Sequence, residues 1–349
     1  MNTNKRESRK PRILMIYTGG TIGMKENVET GALEPFDFNH LLENVPRIKR
    51  LDYDIDSYQF EHPIDSSAMN PTHWEQIARV VEKNYDDYDG FVVLHGTDTM
   101  AYTASALSFM FENIRKPVVI TGSQLPIGEV RTDGEENLIT SLQVAAAKDE
   151  HGEPMVQEVA ILFEDYLWRG NRSTKHSSDN FNAFKSSNYP RLAKVGLGIS
   201  YRREVMWRAE SDAPFRVRYG MDTNVAYLDL FPGINEKIVK YILSAPGLRG
   251  LVMKTFGSGN GPTAPWFRKA LKEAVDRGIV IVNVSQCENG SVLPTRYEAG
   301  FGLEQAGVIS GHDLTSEAAI TKLMFLFGQG LGSEEVKVAM ESPISGEMN

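Results

Sequence analysis

Short runs of apolar residues alternate along the chain with stretches in which apolar positions recur every three or four residues. In the first half, apolar runs cover residues 13–17, 91–95, 117–120 and 158–163, and a more polar run covers 53–60. Runs of this length, bounded by polar segments, are typical of strands in a parallel sheet. The pattern therefore predicts a strand at each of these places.

Segments with helical spacing separate these strands. Asn70 and Pro71 form an N-cap and first-turn pair, and apolar residues then follow on one helical face. A second apolar stripe begins at Met100, and a third predicted helix covers residues 133–147. Strands that alternate with helices favour parallel pairing with right-handed crossovers.

The same alternation returns at smaller size in the second half. Predicted strands cover 225–230, 250–254 and 279–284, and predicted helices cover 235–243, 265–277 and 315–327. We therefore predict an α/β protein of two domains, a larger N-terminal one with a mostly parallel, doubly wound sheet and a smaller C-terminal α/β domain. The predicted divisions are a disordered basic tail at 1–12, the N-terminal domain at 13–205, a linker at 206–222 and the C-terminal domain at 223–349.

The composition narrows the class of protein. With 41% hydrophobic and 24% charged residues, the 349-residue chain resembles a globular protein and not a disordered or fibrous one. Its net charge of −9 gives no support for nucleic-acid binding. No apolar run reaches the length of a membrane span or of a signal peptide, and Cys287 is the single cysteine. We expect a cytoplasmic protein without an internal disulfide bond.

Candidate chemistry follows the first strand. In open parallel sheets, ligands bind outside the carboxyl ends of the strands. The first strand ends in Thr18-Gly-Gly-Thr-Ile-Gly23, whose glycines permit a tight turn and close backbone approach. The segment fits an oxyanion-binding turn, and it equally fits a simple strand exit.

A second candidate segment, His95-Gly-Thr-Asp-Thr99, follows the strand at 91–95. Its last residues fit a helix N-cap, and His95 fits a buried structural imidazole better than a catalytic one. The polar stretch 165–188 is predicted to be a long loop and carries Lys175. A loop lysine is normally solvated, but placed against Thr97 and Asp98 it could act as base for a threonine hydroxyl.

Taken in order, several motifs resemble the signatures of bacterial L-asparaginases, most closely their cytoplasmic type I branch. The similar segments are Thr18-Gly-Gly-Thr-Ile-Gly23, Asp65-Ser-Ser-Ala-Met69, His95-Gly-Thr-Asp-Thr-Met100, Thr121-Gly-Ser-Gln-Leu-Pro126, Asn171-Arg-Ser-Thr-Lys175, Gly257-Ser-Gly-Asn260 and Val282-Asn-Val-Ser-Gln-Cys287. The resemblance extends over nearly the whole chain after residue 12. The order and spacing of the motifs together make it specific.

The resemblance implies hydrolysis of L-asparagine to L-aspartate and ammonia through an acyl-threonine intermediate, without a metal or cofactor. A covalent intermediate suits an amide because it divides a difficult step into two easier ones. The implied nucleophile is Thr21, supported by Thr97, Asp98 and Lys175. The implied substrate-binding residues are Asp65, Ser66, Ser67, Gly20 and Gly96.

The resemblance carries three further expectations. Some cytoplasmic members respond to asparagine at a second site, which falls here on Lys254, Ser285 and Cys287. Lys254 stands where a family arginine is expected, and lysine cannot bind a carboxylate through two parallel hydrogen bonds as arginine does. Family members are homodimers or homotetramers, which we expect here too. The family's lid loop usually carries a tyrosine, whereas residues 24–35 read MKENVETGALEP.

Two other functions are compatible with these motifs. A non-catalytic amino-acid sensor could have kept the pocket, although the intact set Thr21, Thr97, Asp98 and Lys175 favours catalysis. The amidohydrolase subunit of a tRNA-dependent amidotransferase has the same fold. Those chains carry an additional N-terminal domain, whereas the motifs here begin at residue 13, so we expect an asparaginase.

Overall fold

The computed structural model describes residues 9–26, 33–35, 45–209, 212–293 and 298–349. The strands are β1 Arg12–Tyr17, β2 Met24–Glu26, β3 Leu33–Pro35, β4 Asp54–Gln59, β5 Gly90–Leu94, β6 Phe111–Glu112, β7 Val118–Thr121, β8 Val159–Phe163, β9 Tyr166–Arg169, β10 Thr174–Lys175, β11 Phe184–Lys185, β12 Ala193–Val195, β13 Ile199–Tyr201, β14 Arg216–Val217, β15 Val225–Asp229, β16 Gly250–Thr255, β17 Val280–Ser285 and β18 Ile309–Ser310. The α-helices are α1 Pro71–Asn84, α2 Met100–Met110, α3 Gly134–Ala146, α4 Glu236–Leu243, α5 Pro265–Asp276, α6 Glu298–Gln305, α7 Ser316–Gly328 and α8 Ser333–Met340.

A large twisted sheet organises the N-terminal domain. Within the described ranges it has eight strands in the order β13-β12-β9-β8-β7-β5-β1-β4. The strands from β4 to β8 pair in parallel, and β9, β12 and β13 extend the sheet in antiparallel fashion. Parallel pairing places the carboxyl ends of β1, β4 and β5 at the same edge, where ligands bind in such sheets.

The apolar run of β1 is explained by burial on both faces of this sheet. Leu14 and Ile16 pack into one apolar core, and Ile13, Met15 and Tyr17 pack into the core on the opposite face. Successive side chains of a strand point to opposite faces. A strand that is apolar at every position therefore needs helices on both sides, as in a doubly wound sheet.

A smaller sheet organises the C-terminal domain, with the order β15-β16-β17-β18 and parallel pairing throughout the part that is described. The two domains share one continuous apolar core, in which the rings of Phe109 on α2 and Phe325 on α7 stack with centroids 6.1 Å apart. The predicted fold class is confirmed.

One prediction about local structure is wrong. Residues 165–188 are not a plain loop, because β9 pairs with β8 and the hairpin β10–β11 follows. Strands of two to four residues span too few positions to give a periodic signal. The predicted linker also contains β14, which pairs with β6. Of the predicted basic tail, residues 1–8 lie outside the described residues, and Arg12 already belongs to β1.

Candidate active site

Three loops meet at the carboxyl edge of the large sheet through close contacts at three glycines. A Cβ added to Gly19 would lie 2.2 Å from the carbonyl oxygen of Ile64, and one added to Gly20 would lie 2.5 Å from the backbone nitrogen of Gly96. A Cβ on Gly96 would lie 2.5 Å from the hydroxyl oxygen of Ser66. Only glycine fits at these positions, so the loops after β1, β4 and β5 form one surface.

Thr21 begins a short 3-10 turn, Thr21–Gly23, directly after this contact. Gly20 precedes it with φ of 92°, a conformation that favours glycine. Tyr17 at the end of β1 donates its hydroxyl to the carbonyl oxygen of Gly23 at 3.0 Å, which fixes the far end of the turn. The half-buried Thr21 is thereby held beside the loop that carries Thr97.

The Asp65–Ser67 segment is held against the same loop. The carboxylate of Asp65 accepts a hydrogen bond from the backbone of Ser67 at 2.9 Å, and Thr99 donates its hydroxyl to the carbonyl oxygen of Ser66 at 2.7 Å. Ser66 is buried, whereas Asp65 and Ser67 are exposed. Thr99 occupies the N-cap position of α2 as predicted, but its hydroxyl makes no cap bond because it is hydrogen-bonded to Ser66.

Lys175 reaches this edge from a distant part of the chain. Its ammonium donates to the hydroxyl oxygen of Thr97 at 2.8 Å and to the carboxylate of Asp98 at 2.6 Å. The Lys175 side chain is 17% exposed, and that of Asp98 is 63% exposed. A lysine, a threonine hydroxyl and a carboxylate therefore form one connected group at the carboxyl end of β5.

The β10–β11 hairpin and the turn before it place Lys175. Arg172, in the turn Gly170–Arg172, forms a bidentate ion pair with Asp313, with N–O distances of 3.0 and 2.8 Å. Thr174 donates its hydroxyl to Glu317 at 2.6 Å. The segment that carries Lys175 is thus fixed to the C-terminal domain, and only the tertiary structure brings it to Thr97.

Gln124, which none of the motifs marked as a candidate, also lies in this group. Its side-chain oxygen is 3.4 Å from the Thr97 hydroxyl, and its amide donates to the carbonyl oxygen of Asn180. Its backbone nitrogen donates to Asp133, whose carboxyl pKa is raised by burial. The sequence did contain a signal for this residue. Gln124 lies in the motif Thr121–Pro126, directly after β7, which is the strand next to β5.

His95 has a structural environment. The ring is fully buried, with Nδ1 2.6 Å from the carbonyl oxygen of Gly96 and Nε2 2.8 Å from the hydroxyl of Thr103. Trp74 donates to that same hydroxyl at 2.9 Å. A carbonyl can only accept, so we assign the proton to Nδ1 and the acceptor role to Nε2. Burial lowers the pKa of His95 to about 4, which keeps the imidazole neutral.

The three candidate effector residues line one cavity in the C-terminal half. Lys254, Ser285 and Cys287 border a space of about 250 Å³ whose wall also includes Thr174 and Glu317. Lys254 forms an ion pair with Asp229 at 3.1 Å. Burial raises the pKa of Glu317. The cavity therefore lies directly beside the residue that precedes Lys175.

The lid loop that the family resemblance implies falls on residues 24–35, of which residues 27–32 lie outside the described residues. Within the described ranges, no group of three or more His, Cys, Asp or Glu residues is placed to hold a metal ion. Among the helices that the structure describes, none combines the length and apolar character needed to cross a membrane.

Comparison with known proteins identifies the family. The family model "Asparaginase, N-terminal" matches residues 12–207, and "Glutaminase/Asparaginase C-terminal domain" matches residues 224–340. L-asparaginase 1 of Escherichia coli (strain K12) is 41% identical over 340 residues, which cover 97% of this chain and 98% of that protein.

Two further comparisons agree. The crystal structure of L-asparaginase I from Vibrio cholerae has a TM-score of 0.88 and 40% identity, with coverage of 97% of this chain and 99% of that one. The L-asparaginase of Thermococcus kodakarensis is 36% identical over 341 residues, which cover 97% of this chain and 99% of that protein. The resemblance found from the motifs is confirmed, and the chain belongs to the asparaginase family.

Proposed function

We propose that this protein is an L-asparaginase that hydrolyses L-asparagine to L-aspartate and ammonia. The observation that carries the proposal is the contact of Lys175 with both Thr97 and Asp98, beside the glycine turn that holds Thr21. An amidohydrolase needs a hydroxyl nucleophile, a base and an oxyanion site close together. The loops after β1 and β5 supply the proposed nucleophile and oxyanion donors, and the β10–β11 hairpin supplies Lys175.

In the first chemical step, the hydroxyl oxygen of Thr21 attacks the side-chain amide carbon of asparagine. The C–N bond breaks, the proton released by Thr21 reaches the leaving nitrogen, and ammonia departs from an acyl-threonine ester. The backbone N–H groups of the loop at Gly96 and Thr97 are the donors proposed for the developing oxyanion. Donors fixed in advance at such a position stabilise the transition state without reorganising.

In the second step, water cleaves the ester and returns a proton to Thr21. Thr97 and Lys175 act together as the base for this water, and Asp98 orients the Lys175 side chain. Gln124 accepts from the Thr97 hydroxyl and limits its rotation. The product is L-aspartate.

The substrate's α-groups bind at the loop after β4. Asp65 is exposed and negatively charged, which suits an α-ammonium group, and the hydroxyls of Ser66 and Ser67 suit the α-carboxylate. Gly20 and Gly96 let the loops after β1, β4 and β5 pack closely, which brings these groups near Thr21. The side-chain amide then points toward Thr21.

The cavity lined by Lys254, Ser285 and Cys287 is the candidate effector site for a second asparagine. Lys254 offers a positive charge to a carboxylate, and Glu317 offers a carboxylate to an ammonium group. Because Lys254 is already paired with Asp229 and lacks the planar fork of arginine, affinity should be lower than at an arginine site.

The proposal also covers the cellular location and the oligomeric state of the enzyme. The single cysteine and the resemblance to the cytoplasmic type I branch support a cytoplasmic enzyme. We expect a homodimer or homotetramer, as the family resemblance implies, acting on a small molecule without nucleic acid or membrane. Sedimentation analysis of the purified chain gives the oligomeric state directly.

The decisive experiment measures ammonia and aspartate released from asparagine, without tRNA, by the wild type and by Thr21→Ala. We expect steady turnover by the wild type and loss of turnover in the variant. Asparagine binding without any ammonia would favour the amino-acid sensor. Amide hydrolysis that requires a charged tRNA and a partner subunit would favour the amidotransferase.

A further inference from the structure

A segment at residues 342–349 crosses between the two domains and binds the turn that leads to Lys175. Three side chains of that turn and its approach each donate to a backbone carbonyl oxygen of this segment. The pairs are Asn171 to Ser345 at 2.9 Å, Arg169 to Gly346 at 3.0 Å and Arg172 to Glu347 at 2.7 Å. The turn is therefore bound to three consecutive residues of one segment.

The donors on the turn are deeply buried. Arg169 is 4% exposed, Asn171 0% and Arg172 2%. A buried polar or charged group without a partner costs several times what a typical hydrogen bond contributes. Arg169 also pairs with Glu158 and Arg172 with Asp313, so the carbonyl oxygens of the 342–349 segment complete the set of partners that this buried turn needs.

A buried ion pair binds the 342–349 segment to α7. Lys322 on α7 lies 2.7 Å from the carboxylate of Glu347, and both side chains have 0% exposure. The same carboxylate accepts from the backbone nitrogens of Ile344 and Ser345, and Lys322 also donates to the carbonyl oxygen of Ser342 at 2.7 Å. Glu347 thus fixes both the fold of the segment and its attachment to the C-terminal domain.

The bound stretch ends immediately before Lys175. The hydroxyl of Ser173 donates to the carbonyl oxygen of Arg169 at 2.7 Å, and Thr174 is bound to Glu317. Residues 169, 171, 172, 173 and 174 are therefore each held by a hydrogen bond of their own side chain. The position of the Lys175 backbone, and with it the reach of the ammonium to Thr97, depends on this series.

We propose that the 342–349 segment is a positioning element for Lys175, with Glu347 as its principal positioning residue. The inference rests on the role given to Lys175 in the proposed function. The segment touches neither Thr97 nor Asp98 in the contacts that define it, and it acts through the turn Gly170–Arg172. It begins beyond residue 340, where the match to the C-terminal family model ends.

The test compares Glu347→Ala with Glu347→Gln in the full chain, measured on purified folded enzyme well below its unfolding temperature. Alanine removes every contact of the carboxylate, whereas glutamine keeps a side-chain oxygen for Ile344, Ser345 and Lys322. A displacement of about 1 Å in a reacting group can cost up to about 100-fold, so we expect kcat to fall about tenfold or more in the alanine variant. We expect a smaller fall in the glutamine variant, with KM unchanged within about twofold in both.

Leu323→Ala is the matched control for stability. Leu323 is a buried neighbour of Lys322 on α7, but its side chain packs against Gly250 of the smaller sheet. We expect a lower unfolding temperature with kcat and KM unchanged. Equal kcat values per folded molecule in Glu347→Ala and Leu323→Ala would overturn the proposal.

A second variant and a hydrogen-exchange measurement complete the test. If Glu347→Ala does not fold, Asn171→Leu removes a single attachment with little change in shape, and an unchanged kcat there counts against the proposal. Hydrogen exchange of amides 170–175 should accelerate in Glu347→Ala and not in Leu323→Ala, whatever Lys175 does chemically. Unchanged exchange overturns the positioning element alone, whereas full activity of Lys175→Arg overturns the role of Lys175 in the proposed function.

Discussion

The ammonium of Lys175 lies 2.6 Å from the carboxylate of Asp98 and 2.8 Å from the hydroxyl oxygen of Thr97. Thr97 and Asp98 lie in the loop after β5, whereas Lys175 belongs to the β10–β11 hairpin. The contact therefore lies within the N-terminal domain, and the hydrogen bond from Thr174 to Glu317 links the hairpin that carries Lys175 to the C-terminal domain.

Lys175→Arg should abolish most activity although it keeps the positive charge. Arginine does not deprotonate at working pH and cannot act as a base. Loss of a positioned base costs about 10²–10⁴-fold in kcat. Lys185→Arg, on the paired strand of the same hairpin, is the matched control and should retain activity. Near-normal kcat in Lys175→Arg would mean that this lysine supplies only charge.

Thr21 should carry the covalent intermediate. Treatment with a reactive asparagine analogue, followed by digestion and mass spectrometry, should find the adduct on the peptide that contains Thr21. Thr21→Ala should lose the adduct and at least about 10³-fold in kcat, because no hydroxyl remains to form the ester. Thr97→Ala should still allow labelling, although more slowly. An adduct on Thr97 would reverse the roles of the two threonines.

Asp65→Ala should weaken recognition of the α-ammonium group. A hydrogen bond to a charged group contributes about 1.5–3 kcal/mol, so kcat/KM for asparagine should fall roughly 10- to 100-fold. Succinamic acid lacks the amino group, so its already poor turnover should change little. Glu61→Ala removes a nearby exposed carboxylate and serves as the control. An unchanged preference for asparagine over succinamic acid in Asp65→Ala would exclude the assignment.

The free energy of unfolding should depend on pH through His95. Burial depresses the pKa of His95 from 6.5 to about 4, so between these values the unfolded chain binds a proton that the folded chain does not. Stability contributed by neutral His95 is therefore fully present above pH 6.5 and lost as pH falls toward 4, by about 3 kcal/mol.

Denaturant unfolding of His95→Gln from pH 7 to 4 isolates this contribution. The variant should be less stable at pH 7 but should lose less free energy on acidification than the wild type. His151→Gln changes an exposed histidine and should leave the wild-type pH dependence intact. Parallel pH curves for wild type and His95→Gln would show that folding does not lower the pKa of His95.

Occupation of the candidate effector cavity should appear in the rate curve. If a second asparagine binds at Lys254, Ser285 and Cys287, velocity should rise sigmoidally with asparagine concentration, and Lys254→Ala should make the curve hyperbolic. Lys272→Ala removes a lysine of the exposed α5 surface and should not alter the shape. A hyperbolic wild-type curve, unchanged in Lys254→Ala, would count against this effector site.

The local pattern of the sequence determined most of the parallel framework. β1, β5 and β16 are short apolar runs because both faces of a parallel strand are buried, and α1 begins after the Asn70 cap because Asn70 accepts from the backbone of Thr72. These are local signals, since each depends on neighbours within a few positions. They lead to the correct fold class without any knowledge of long-range contacts.

Tertiary structure decided the rest. Thr97 and Lys175 are 78 positions apart in the chain. Nothing in either segment specifies that the Lys175 ammonium lies 2.8 Å from the Thr97 hydroxyl oxygen. The short strands β9 to β13 have no periodic signal of their own. Pairing next to β8 stabilises β9, β12 and β13, and pairing with each other stabilises β10 and β11. The pair between Glu347 and Lys322 likewise joins positions 25 apart through burial and charge. The binding of the 342–349 segment to the turn before Lys175 exists only after the two domains have packed together.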